Sequence, residues 1–149
     1  MDFPEIVDQF ESGVEFYSEE IDFELQNEEE IAEWIMQTVA DEGKKFHHCS
    51  FVFCSDEYLH KINLEYLSHD DYTDVITFPY AENPVEGDIY ISIERLKDNA
   101  RSLGIPFLHE LHRVIIHGTL HLCGYTDKTP LDKTKMTEKE DFYLSKLPS

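Results

Sequence analysis

The chain has 149 residues, enough for one domain with a real core, and its 41% hydrophobic and 13% aromatic content marks a folded rather than a disordered protein. Twelve Lys+Arg stand against 32 Asp+Glu, and the net charge of −20 argues against non-specific adhesion to nucleic acid or anionic membrane while leaving room for a substrate held by a local basic patch. No apolar run approaches the ~20 residues that span a bilayer.

The acidic start, Met1-Asp2-Phe3-Pro4-Glu5, lacks the basic-then-apolar pattern of a secretory leader. Val14 to Tyr17 reads as a short strand. Asn27 is placed to cap a helix that opens on Glu28-Glu29-Glu30. Ile31, Trp34, Ile35, Thr38 and Val39 give that helix one apolar stripe, ending near Gly43. The compact run Cys49 to Cys54 reads as a buried strand. Ser55 caps a helix carrying Leu59, Ile62, Asn63 and Tyr66, and Ser68 to Tyr72 is a polar loop. Val75 to Phe78 is a strand stopped by Pro79. After the turn at Glu82-Asn83-Pro84, Gly87 to Ile93 alternates as a half-buried strand. A helix from about Glu94 ends at Gly104. Pro106 opens the next helix, which sends Phe107, Leu108, Leu111, Val114 and Ile115 into the core. Lys133 to Leu147 holds a last, weakly amphipathic helix. The order implies an α+β fold, residues 1–149 as a single domain, with about four strands in a mixed sheet and helices packed on it. Cys49, Cys54 and Cys123 form no pairable framework and read as buried free thiols, which points to a reducing cytoplasm.

The helix after Pro106 delivers His117 and His121, four apart on one face. Their imidazoles can reach one ion. Gly124 can take the left-handed conformation that ends the helix and reverses the chain, swinging Asp127 back as a third ligand. Three protein ligands leave a fourth tetrahedral position open, the arrangement of a catalytic zinc site, with one ion expected per chain. The pattern is similar to the zincin arrangement H-E-x-x-H-x-x-G-x-x-H, but Gly118 stands where a metallopeptidase has its glutamate base, so a peptidase is disfavoured.

The segment from His117 to Asp127 resembles the H-G-x-L-H-L-x-G-Y-D-H motif of the YbeY-type endoribonucleases, the bacterial rRNA maturation factors. A second motif of that family, L-N-x-x-Y-R-x-x-D-x-P-T-D-V-L-S-F-P, is answered by Ile62 to Pro79, and a third, G-D-I-x-I-S, by Gly87 to Ser92. The three come in the family's order and cover about residues 14–145. The resemblance implies a single-strand-specific, zinc-dependent endoribonuclease acting in 16S rRNA 3′-end maturation. It implies rRNA and the small ribosomal subunit as partners, together with a ribosomal protein or a ribosome-associated GTPase. It also places Thr73 and Asp74 in the substrate cleft.

Two departures bear on mechanism. Asp127 stands where the family has its third histidine, and a carboxylate is also a competent zinc ligand. Leu67 stands where the family has an arginine, and leucine can neither bind phosphate nor offset developing charge. Arg113, four residues before His117, and Lys128, beside Asp127, are candidate substitutes; a structurally paired Arg113 is the competing reading. Zinc would lower the pKa of its bound water toward ~7, suiting it to phosphodiester hydrolysis. His69, Asp70 and Asp74 are candidate general bases, against which stands ordinary turn and cap chemistry. Leu67 and the acidic surface also support a second reading, a non-catalytic ribosome-assembly factor with a structural metal.

Overall fold

Alternating burial sets the sheet. In a computed structural model that describes residues 13–147, the strand β4 (Val85–Ser92) buries Val85, Gly87, Ile89 and Ile91 and leaves the residues between them half-buried until Ser92. It lies between β2 (Phe46–Cys54) and β3 (Val75–Glu82), and β1 (Gly13–Glu19) adds to the far side of β2, so the order is β1-β2-β4-β3. β1, β2 and β4 are parallel, and β3 runs antiparallel to β4 through a tight hairpin. The acidic start, Met1 to Glu5, lies outside the described residues.

Among the described residues there are five helices: α1 (Glu28–Asp41), α2 (Asp56–Leu67), α3 (Ile93–Leu103), α4 (Phe107–Leu122) and α5 (Pro130–Leu144). The main core joins Phe51, Phe53, Ile89 and Ile91 of the sheet to Ile35 and Val39 of α1 and to Leu111, Ile115 and Leu120 of α4. Each such side chain contributes ~1.5–3 kcal/mol on burial. The alternate strand residues form a smaller cluster, in which Cys54 and Ile76 meet Leu59 of α2. The sheet therefore carries α2 on one face and α1 and α4 on the other. Among the described residues no helix is long and apolar enough to cross a membrane.

Local signals explain most boundaries. Ser55 Oγ accepts from Tyr58 N at 3.1 Å, and Ser92 and Thr129 cap α3 and α5 in the same way. Four details differ from the sequence reading. Asn27 precedes α1 but sits in the left-handed region at φ 59° and its side chain makes no cap bond. Pro79 does not stop β3, because β3 is an edge strand and the irregular register beside Pro79 absorbs the missing N–H. The last helix starts at Pro130 and ends at Leu144, three residues earlier at each end than its apolar spacing suggested. Leu108 is 54% exposed in the first turn of α4, while the charged Glu110 is buried.

Candidate metal centre

α4 approaches the sheet closely because Gly118 has no side chain. A Cβ there would come within 3.0 Å of Ile89 on β4, so a glutamate at this position has no room. The helix then ends in a reversal. Gly124 N–H donates to His121 O at 3.0 Å, Tyr125 N–H to Leu120 O at 3.1 Å, and Gly124 itself has φ 106°. The chain after Gly124 returns Asp127 over the last turn of α4.

The reversal brings together the three donors that the spacing singled out. One ligand atom each from His117, His121 and Asp127 lies within 4.8 Å of the others. The two Nε2 atoms are 2.9 Å apart, and Asp127 Oδ2 is 3.5 Å from that of His117 and 3.6 Å from that of His121. Tetrahedral zinc with ligands at ~2.0–2.2 Å sets its donors about 3.3 Å apart, close to these spacings.

The tautomers fit an ion as well. His121 Nδ1 lies 2.9 Å from the Tyr125 carbonyl, which can only accept, so that nitrogen is the protonated one. His117 Nδ1 lies 2.6 Å from Glu140 Oε2 and donates to it. With Nδ1 of each ring so engaged, both Nε2 atoms point into the same space, where they share either a proton or a metal cation. A carboxylate and a carbonyl behind the imidazoles are the usual supports of metal-binding histidines. Among the described residues this is the one group of three or more such side chains placed to share an ion.

The surroundings are acidic. Glu140 is 8% exposed in its side chain and also accepts from Arg113 at 2.6 Å, while Arg113 reaches Asp141 at 2.9 Å. Glu110 lies one turn before Val114 on the same stripe as His117. Burial pushes its carboxyl up, with Asp74 adding to the effect and a hydrogen bond from Asn99 opposing it. Burial lowers the pKa of His117, but Glu140, Asp127 and Asp74 outweigh it and leave the ring more basic than usual. His121 moves the opposite way, lowered by burial and by His117. Three carboxylates, Glu140, Asp127 and Asp74, act on His117 and favour a dication.

The remaining sequence candidates separate. The Asp74 side chain accepts from Asn99 at 3.3 Å, and its charge is among those that raise His117. Thr73 lines a cleft of about 650 Å³ together with Asn63, Leu67, His69 and Thr77, and none of the three candidate ligands lines it. Leu67 is 40% exposed there. His69 is exposed, and its N–H donates to Asn63 O at 3.1 Å to close α2, which is cap chemistry. Asp70 is bonded to His60 at 2.9 Å. Arg113 is the structurally paired arginine of the competing reading, held by two carboxylates. Lys128 is exposed next to Asp127. Cys123 is buried, its thiol pushed up to about 11 by burial, and contributes no donor to the group.

Three supporting residues escaped the sequence reading. Glu140 sits in the apolar stripe Met136, Glu140, Tyr143, and a charge inside such a stripe was the signal available. Glu110 offers the same signal in α4. Glu42, which binds Tyr125, follows an acidic helix end where the macrodipole disfavours carboxylates.

A mixed sheet carrying a histidine pair and an aspartate on one helix and its reversal defines an α/β protein with a histidine–carboxylate centre. A sequence-family model described as "Endoribonuclease YbeY" matches residues 13–148. A relative named endoribonuclease YbeY in Amoebophilus asiaticus is 47% identical over 89% of this chain and 92% of its own. One in Christiangramia forsetii is 50% identical over 86% of this chain and 90% of its own. A solution structure of a Thermotoga maritima protein superposes with a TM-score of 0.66 at 28% identity, covering 90% of this chain and 88% of that one. The chain belongs to the endoribonuclease YbeY family, and its role is that of an endoribonuclease.

Proposed function

We propose that this protein is a zinc-dependent endoribonuclease that cuts single-stranded RNA and matures the 3′ end of 16S rRNA in the cytoplasm, working on the small ribosomal subunit with a ribosomal protein or a ribosome-associated GTPase. The observation that carries the reading is the convergence of His117 Nε2, His121 Nε2 and Asp127 Oδ2 within 3.6 Å of one another. His117, His121 and Asp127 would hold the ion, which when bound supplies an acidified water and a positive charge for the phosphoryl group. Glu140 and the Tyr125 carbonyl fix the two ring orientations, so nothing need rearrange when substrate arrives. In this reading Asp74 accepts the proton and the exposed Lys128, next to Asp127 in the chain, meets a phosphate oxygen. In the same reading the cleft of Asn63, Leu67 and Thr73 takes a nucleotide flanking the cut.

One observation favours a second reading. Leu67 brings no charge to the cleft and Arg113 is tied to Glu140 and Asp141, so the strongest cations are absent from the phosphate path. That supports a non-catalytic assembly factor with a structural metal. A deletion strain separates the two. Unprocessed 16S 3′ ends are expected, rescued by the wild-type gene and not by His117→Ala. Rescue by a folded His117→Ala protein would transfer the role to the assembly factor, and normal rRNA ends in the deletion strain would end both readings.

A further inference from the structure

Glu42 lies far from the centre in sequence, at the C-terminal end of α1. Its carboxylate is 9% exposed and gathers three donors from two other elements. Tyr125 Oη donates at 2.7 Å, Lys139 Nζ at 3.1 Å, and Tyr143 Oη donates as well. Burial opposes the charge, and the three donors outweigh it and hold the carboxyl below its ordinary value. The negative end of the α1 macrodipole also disfavours a carboxylate here, and α1 has no basic residue in its last turn. The charge at this unfavourable helix end is offset by the three donors it binds.

What it binds is the loop of the metal centre. Tyr125 is held twice: its main-chain N–H by Leu120 O, and its side chain by Glu42. Between those anchors lies the Tyr125 carbonyl that fixes His121. Only Thr126 separates Tyr125 from Asp127. On the other side, Lys139 and Tyr143 flank Glu140 in α5, and Glu140 fixes His117. We infer that Glu42 is the positioning residue of the metal centre, acting through Tyr125 on His121 and Asp127. The inference rests on the metal reading above.

The experiment measures zinc affinity by competition with a chromogenic chelator, alongside the thermal stability of the metal-free proteins. The variants are Glu42→Gln, Tyr125→Phe, their double, and Tyr143→Phe as the control that removes a Glu42 donor without touching the loop. Loss of a support behind a metal-binding histidine typically weakens affinity ~10–100-fold. Glu42→Gln and Tyr125→Phe are each expected near the lower end, with the double no weaker than the worse single, because both break one path. Tyr143→Phe is expected to lose stability and keep wild-type affinity. Wild-type affinity in Tyr125→Phe would overturn the inference. So would an equal loss in Tyr143→Phe, which would make Glu42 a general brace. If Glu42→Gln does not fold, the comparison of the two tyrosine variants decides. Wild-type protein that takes up no zinc would instead overturn the metal assignment, and this inference with it.

Discussion

Glu140→Gln is the most informative single substitution. Glu140 divides its two oxygens, giving Oε1 to Arg113 and Oε2 to His117, each at 2.6 Å. Glutamine keeps the size but offers one acceptor and turns an NH2 group toward the other donor. Either Arg113 loses its buried partner or His117 loses the acceptor that fixes its tautomer. The site is poorly hydrated, with Glu140 at 8% and Arg113 at 27% side-chain exposure, so water replaces the lost bond only in part. A hydrogen bond to a charged group is worth ~1.5–3 kcal/mol. Arg113 keeps Asp141, which is largely exposed, so we expect a loss near the middle of that range, about 2 kcal/mol. Zinc affinity should fall ~10–100-fold, since the ring is no longer oriented and its basicity drops. Urea unfolding of the metal-free protein reads the first effect and chelator competition the second. A variant with wild-type stability and wild-type zinc affinity would refute the assignment of Glu140 as the support of His117.

Four further outcomes follow from the same geometry. Lys128→Ala should slow single-turnover RNA cleavage about ten- to hundred-fold if it meets the phosphate, with circular dichroism unchanged; wild-type rates would remove it from the site. Arg113→Ala should instead lower stability, visible in urea unfolding, because its charge serves Glu140 and Asp141. Gly118→Val should destabilise by ~1–3 kcal/mol through overpacking against Ile89, and a thermal melt at wild-type temperature would contradict that close approach. The Glu110 carboxyl is raised in the folded state by burial, so its charge opposes folding. The penalty is absent below the unfolded carboxyl value, grows as pH rises through the interval up to the folded value, and is complete above it. Glu110→Gln should therefore gain stability relative to wild type on going from acid to neutral pH, and a difference that does not change with pH in denaturant titrations would exclude it.

The sequence made legible whatever a single segment encodes. The i, i+4 histidines, the glycine that reverses the chain and the aspartate behind it are one stretch, and its geometry follows from helix pitch and a positive φ. The strands and helices were readable for the same reason, since Ile89 and Ile91 alternate and Ile31, Trp34 and Ile35 recur at helical spacing. Pro79 was misread because its tolerance depends on β3 lying at the sheet edge, which only the strand order decides. Glu140, Glu110 and Glu42 were not read because their roles depend on which helices meet. Glu140 is 23 residues from His117 and Glu42 is 83 from Tyr125. A buried carboxylate announces itself only once its donors are in place.

The proposed function turns on a metal held by His117, His121 and Asp127. Its most direct test is single-turnover cleavage of a single-stranded rRNA-precursor fragment by zinc-loaded protein, chelated protein, chelated protein with zinc restored, and a folded His117→Ala variant. Cleavage is expected in the first and third alone. Equal cleavage by the chelated protein or by His117→Ala would contradict the account.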